Sequence, residues 1–472
     1  MNEIPDLNRS ASPVTRFFRW LISPRIARRC LMGIGALLTL IALVYAEENW
    51  RGKREWEEYK RQMAAAGETW DWSAFIPQPV PDEQNIFKAP KMSEWFLDKR
   101  AIFEAPLDHP ITNDFARRLI NPKSTIEITN VAEASAYLAW SDLFQADFDA
   151  IAAALKRPFA RIMDDYSDPV LIQFPNRVSG YELIVTLEQR AKCHLLLRQT
   201  DKAWQELTLI NDLRRLVDAQ GNFLTPEGDW MILGVINHSL PVIARGIELH
   251  AWNEPQLVAL QDRLRNSDAI NQHARALRCG RALLFSSVES GEFSRGAKQM
   301  AGGNIFRMAF SRHPEVLLLS LVPNGSLEQM FIRKSDDFQG MINAFSPTNG
   351  IVRPADVSRA SAFWKRAQEG APGLLRMQAL INEGQIACAL ERYRLARGEY
   401  PEKLDALAPG FIAPLPHDIV NGEPLKYHRT DDGKFLLYSV GWNETDEGGK
   451  DVSDTSRPET IKNGDWAWGF RL

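Results

Sequence analysis

The chain has 472 residues, 45% of them hydrophobic and 25% charged, with a net charge of -4 and a pI of about 6.1. This composition excludes a disordered stalk, and it lacks the basic balance that nucleic-acid binding requires, so no nucleic acid is a predicted partner. A chain of this length can bury one large core or two, because single cores stop growing near ~250–300 residues.

The first ordered feature is the run Cys30 to Ala46, CLMGIGALLTLIALVYA, seventeen residues without a charge, preceded by Arg16, Arg19, Arg25, Arg28 and Arg29. As a helix it reaches about 26 Å, enough to cross a hydrocarbon core with Trp20 and Trp50 near the interfaces. Positive residues stay on the cytoplasmic side, so 1–29 is predicted to be a cytoplasmic tail, 30–46 a transmembrane helix, and everything after Glu47 extracytoplasmic. Val44-Tyr45-Ala46 also has the small-x-Ala character of a signal-peptidase site. The long preceding region and long apolar run favour an anchor over a cleaved signal. Pro13 and Pro24 bracket RFFRWLIS, an aromatic and basic run read as a topology signal at the inner leaflet.

Residues 47–94 are predicted to form a stalk helix and a Pro-rich linker. Trp56, Tyr59 and Met63 recur at helical spacing between charges, and the helix is expected to stand off from the membrane without forming a core. Pro77, Pro79 and Pro81 then forbid helix and favour a semi-rigid extended spacer.

Residues 95–369 read as an extracytoplasmic α-helical domain, an irregular bundle or short solenoid. One helix places Leu183, Leu187, Ala191 and Leu195 on a face, and the next places Ala203, Leu207, Ile210 and Leu213, with a short turn at Gln199–Asp201. The pair resembles a tetratricopeptide-type hairpin, although no steady 34-residue period follows it. Thr225-Pro226-Glu227 announces a third helix with an expected kink at Pro241, and Asn253 with Gln256 announces a fourth by a capping box. Residues 291–369 carry the weakest pattern. Their apolar run EVLLLSLV has eight residues, too few to span a bilayer, and reads as a buried turn or strand.

Residues 370–472 change character. A long amphipathic helix carries Leu375, Ile381, Ile386, Ala389, Leu390 and Tyr393, and Gly398 stops it. Leu404 and Leu407 begin a short second helix. LKYHR and KFLLYSVG then pair as a hairpin around Thr430-Asp431-Asp432-Gly433. The fold class is therefore mainly α, with a small C-terminal α+β head.

The order ALERYRLARGEYP, LPHDIVNGEPLKYHR, DGKFLLYSVGWNETDEGG and GDWAWGF resembles the periplasmic head of the major pseudopilin of type II secretion systems, over about 100 of the 472 residues. The whole chain also resembles uncharacterised bacterial single-pass membrane-anchored proteins that share this tail. The resemblance implies the bacterial inner membrane, with the bulk of the chain in the periplasm. It also implies that the acidic loop can hold calcium, with Asn443, Asp446, Glu447, Asp451 and Asp454 as oxygen ligands and Gly448 and Gly449 allowing the bends. Asp465 could close the module onto the same loop. A solvated acidic turn is the competing reading of these residues. Two departures stand out: the anchor lies over 300 residues from the head, unlike a pilus subunit, and His417-Asp418-Ile419 replaces the family's Asp-Pro.

No nucleophile elbow, His-Glu-x-x-His, phosphate loop or dinucleotide fingerprint occurs. His238 and His250 are twelve residues apart, about 18 Å along a helix, too far for one metal. Asp164-Asp165 and Asp336-Asp337 are expected at the surface. Cys193, Cys279 and Cys388 read as buried thiols, with one disulfide among them the other option. The expected function is interaction or scaffolding in the envelope, with the lipid bilayer and an envelope protein as partners. The alternative is an extracytoplasmic hydrolase with its site between helices of residues 95–369.

Overall fold

A single helix, α1 (Pro24–Ala65), runs from the arginine flank through the apolar run and into the charged segment beyond it, a rod of about 63 Å. The computed structural model describes residues 24–97, 128–166, 173, 175–220, 226–289, 324–347, 350–360, 365–450 and 458–469. The RFFRWLIS and EVLLLSLV readings fall outside them. The chain divides into two units, residues 1–68 with 294–333, and residues 69–293 with 334–472.

In the first unit, the apolar stretch of α1 is long enough to cross a membrane and is exposed along its whole length, Leu31, Leu37, Leu38 and Leu43 included. The threonine hydroxyl in this stretch is satisfied inside the helix, where Thr39 Oγ1 donates to Gly35 O at 2.8 Å. Past the apolar stretch, Trp50 is exposed with the Arg54 guanidinium over its ring. The free-standing stalk expected here is corrected: Trp56, Tyr59 and Met63 are buried. Their three- and four-residue spacing makes one apolar stripe, and such a stripe gains by packing.

The second unit is built from helices α2 (Val131–Ser141), α3 (Gln145–Ala154), α4 (Arg177–Leu196), α5 (Thr200–Asp212), α6 (Pro226–Glu248), α7 (Glu254–Arg265), α8 (Ala269–Glu289), α9 (Asn324–Phe345, from residue 334 onward), α10 (Pro354–Ala360) and α11 (Lys365–Arg397). Side chains start several of them: Asn130 accepts from the Glu133 N–H, Asn176 from Val178 and Ser179, and Asn253 forms the expected capping box with Gln256. The α4–α5 hairpin buries all eight apolar residues read from the sequence. Helix α6 continues through Pro241. It packs on α4, α5, α8 and α11, and α7 lies along α11.

The Pro-rich spacer is not a free linker. Ile76 and Pro81 are extended as expected. The following turns, however, bury Ile86, Phe87, Met92, Trp95 and Phe96 in the helical core, and Ile86 N–H donates to Phe159 O at 2.8 Å. Before the run, Trp72 Nε1 donates to Tyr166 O at 2.9 Å, so the proline run is pinned at both ends.

The C-terminal part has a three-stranded antiparallel sheet in the order β1 (Lys426–Arg429), β2 (Phe435–Ser439), β3 (Trp466–Ala467), with Tyr427 opposite Leu437 and Ser439 opposite Trp466. The first two strands are the predicted hairpin; β3 was not predicted. A boundary at residue 370 does not divide the fold, because α11 runs through it and is shared. A Cβ placed on Gly384 of α11 would meet Leu264 of α7 on one side and Trp468 of the sheet module on the other, each at 3.0 Å. The head therefore has no core of its own: one long helix, apolar on more than one face, serves both the helical body and the sheet.

Candidate functional site

The acidic loop after β2 was the one predicted ligand set. Its described members bond to one another and to neighbouring side chains. Asn443 Nδ2 donates to Glu447 Oε1 at 2.8 Å, and Asp446 accepts from the Tyr438 hydroxyl and the Gly448 N–H while Lys426 Nζ lies 3.5 Å away. Asp451 and Asp454 lie outside the described residues. Asp465, which enters β3, is fully buried beneath the loop. Its Oδ2 accepts from the N–H of Glu447 at 3.1 Å and of Gly449 at 2.7 Å, while its Oδ1 has no partner among the described residues. Burial, reinforced by the like charges of Glu447 and Asp446, pushes this carboxyl up to about 6.

Among the described residues no three Asp, Glu, His or Cys side chains converge as a metal site would require. The described side chains of the loop are engaged with each other and with the strands beside them. What Asp465 does is fasten the glycine bend to the sheet.

A second buried carboxylate has the same role. Asp418 Oδ1 accepts from Ser439 Oγ at 2.9 Å and Val420 N at 3.1 Å, and Oδ2 from Val440 N at 3.0 Å. Burial raises its pKa against these three donors. The loop that departs from the Asp-Pro pattern is thus locked to the end of β2 through the aspartate it keeps.

In the helical part, three histidine–carboxylate pairs join α6, or the residue just beyond it, to three different neighbours. His238 Nδ1 lies 2.6 Å from Glu188 on α4, His273 Nδ1 on α8 lies 2.6 Å from Asp229 on α6, and His250 Nδ1 lies 3.0 Å from Glu391 on α11. Sequence spacing correctly kept His238 and His250 apart, but it could not show their carboxylates, which come from helices 50 and 141 residues away. Glu188, also paired with Lys192, is held down at about 2 despite its burial. A fourth polar knot centres on Arg190, whose guanidinium bonds Glu206, Ser141, Asp142 and Gln145 at 2.7–2.8 Å and so ties α2, α3 and α5 to α4. An oriented imidazole can serve as a base, but each pair stands at a separate helix junction, and together they work as interhelix ties. Cys193, Cys279 and Cys388 are buried thiols, as expected.

The second unit also has a cleft of about 450 Å³ between the extended Ile76–Pro81 segment and residues 159–161 and 219–220. Among the described residues neither a histidine nor a carboxylate lines it.

Compared with known proteins, the chain matches no protein family, no curated protein and no solved structure. Its class is set by its own fold: a mainly helical protein with one N-terminal apolar helix able to span a membrane and a small antiparallel sheet.

Proposed function

We propose that the protein is a membrane-anchored, extracytoplasmic interaction or scaffold protein of the bacterial envelope. Helix α1 is the single pass through the inner membrane, the N-terminus is inside, and the irregular helical body with its pseudopilin-like head stands in the periplasm, near secretion machinery. The observation that carries this reading is the α1 stretch itself, exposed and uncharged from Leu31 to Val44 with Arg25, Arg28 and Arg29 on its inner end. An envelope protein is the expected partner of the body or head.

The hydrolase alternative asks for histidines and carboxylates gathered in a cleft. The cleft and the histidine–carboxylate pairs lie at different places, which favours the scaffold. Alkaline phosphatase and a cytosol-dependent fluorescent protein, each fused after Leu472, test the topology. Active phosphatase with a dark fluorescent fusion is expected, and the reverse pattern would remove the reading. Crosslinking in native membranes followed by co-purification is expected to capture an envelope protein.

A further inference from the structure

Just past its apolar run, α1 carries two exposed cations without counterions among the described residues, on the side the protein leaves open. Trp50, Lys53 and Arg54 stand at i, i+3 and i+4, so they share one side of the helix. Gly52, Trp56, Tyr59 and Met63 occupy the opposite side, and all four are buried. Trp50 is 65% exposed, and the Arg54 guanidinium lies 5.8 Å from the centroid of its ring. Lys53 and Arg54 make no ion pair among the described residues, whereas their basic neighbours do: Arg51 bonds Glu48 at 2.8 Å and Lys60 bonds Glu57 at 2.7 Å. Glu48 also accepts from Ser326 Oγ at 3.0 Å, which ties it to the protein side. Glu47, exposed and three residues before Trp50, is the acid left at this level on the open side. Two cations therefore face one carboxylate.

Helix geometry sets the depth and direction of these groups. Trp50 stands about 6 Å, and Lys53 and Arg54 about 10–12 Å, beyond Ala46, where the apolar run ends. Side chains on a helix lean toward its N-terminus, which on α1 is the side of the apolar run. The cations thus reach back toward a headgroup layer that is about 5–8 Å deep on each side of a bilayer. Arg54 does so directly, since its guanidinium lies on Trp50, one turn nearer the apolar run. We propose that Trp50, Lys53 and Arg54 bind the phosphate of an anionic phospholipid, whose acyl chains lie along the exposed apolar stretch below. The inference rests on the reading of α1 as a membrane span. The indole holds the guanidinium flat with its N–H edge free for phosphate oxygens, and Lys53 adds a point charge. With the opposite side of α1 covered by protein, a lipid meeting the helix at this height meets these three side chains.

The test is native mass spectrometry of the full chain in detergent micelles, with dioleoylphosphatidylglycerol, dioleoylphosphatidylcholine or inorganic phosphate added. Phosphatidylglycerol is expected to be retained at least about tenfold more tightly than phosphatidylcholine. Arg25, Arg28 and Arg29, at the other end of the apolar run, also attract anionic lipid, so the decisive comparison is between variants. The Lys53→Gln/Arg54→Gln protein, with its melting temperature retained, should lose one bound phosphatidylglycerol, which the Arg25→Gln/Arg28→Gln/Arg29→Gln protein should keep. Trp50→Ala should weaken that lipid about threefold by removing the platform under Arg54. A Lys53→Gln/Arg54→Gln protein that holds as much phosphatidylglycerol as the parent overturns the proposal, and so does equal retention of the two lipids. Displacement of the lipid by millimolar inorganic phosphate would overturn a phospholipid as the occupant. The phosphatase fusion reports orientation and the micelle measurement does not depend on it, so failure of the topology and failure of this site are told apart.

Discussion

The Tyr400 hydroxyl donates to Glu391 Oε2 at 2.7 Å, folding the chain after Gly398 back onto the helix it has just left. Gly398, at φ +87°, makes the left-handed turn that this return requires. Glu391 is fully buried and also accepts from Arg394 Nε and Nη2 and bonds the His250 imidazole. Burial alone would raise its pKa, but these partners together hold it below the ordinary carboxylate value. Tyr400→Phe should therefore cost about 1–2 kcal/mol in urea unfolding, because a charged acceptor loses one donor and keeps the others. An unchanged midpoint would mean that the return is held by packing alone.

Much of this was legible in the sequence. The apolar faces of α4, α5 and α11, the Asn253 capping box, the stop at Gly398 and the β1–β2 hairpin all follow from local periodicity and turn chemistry, which the chain carries within a few residues. The missed features are non-local. β3 is two residues long and exists because Ser439 and Tyr438 offer it an edge, so no run of alternating residues announces it. Trp56, Tyr59 and Met63 show the right spacing, but spacing does not say whether a face finds a partner. The burial of Asp465 beneath the loop depends on Glu447 and Gly449, well outside its own strand, and no motif marks it.

Gly246 on α6 faces the indole of Trp252, and a Cβ there would sit 2.0 Å from the ring edge. The indole cannot easily yield: it is buried, and its Nε1 donates to Ile243 O at 3.1 Å. Gly246→Ala should destabilise the protein by about 1–3 kcal/mol despite alanine's better helix propensity. A melting temperature equal to or above that of the parent would show that α6 and the chain beyond it can separate freely.

Glu188 sets the acid limit of the helical unit. Its pKa is lowered from 4.5 to about 2, burial being overcome by Lys192 and His238. A carboxylate depressed in the folded state contributes stability that is complete above its unfolded pKa and is lost as pH falls from about 4.5 towards 2. Glu188→Gln should remove about 3 kcal/mol at pH 7 by leaving Lys192 without its counterion and His238 without its carboxylate partner, and should flatten the acid limb of a melting-temperature profile. A variant whose acid limb runs parallel to the parent's would place the acid sensitivity elsewhere.

Asp465 acts in the opposite direction. Its pKa is raised from 3.8 to about 6, so the folded state holds the proton more tightly than the unfolded chain does. The stability linked to that proton is fully present below 3.8 and is lost as pH rises through about 6. Melting of the full chain should therefore rise as pH is lowered from 7.5 to about 5, before the acid limb of Glu188 begins. In Asp465→Asn this rise should vanish, with the variant at least as stable as the parent at pH 7.5, since the amide oxygen can still accept from Glu447 and Gly449 while no charge is buried. The same samples distinguish a proton from a metal at the unpartnered Oδ1. With protonation as its only relief, calcium or a chelator at pH 7.5 should leave the melting temperature unmoved. A calcium-dependent increase that Asp465→Asn abolishes would instead make the loop an ion site completed by residues beyond Lys450.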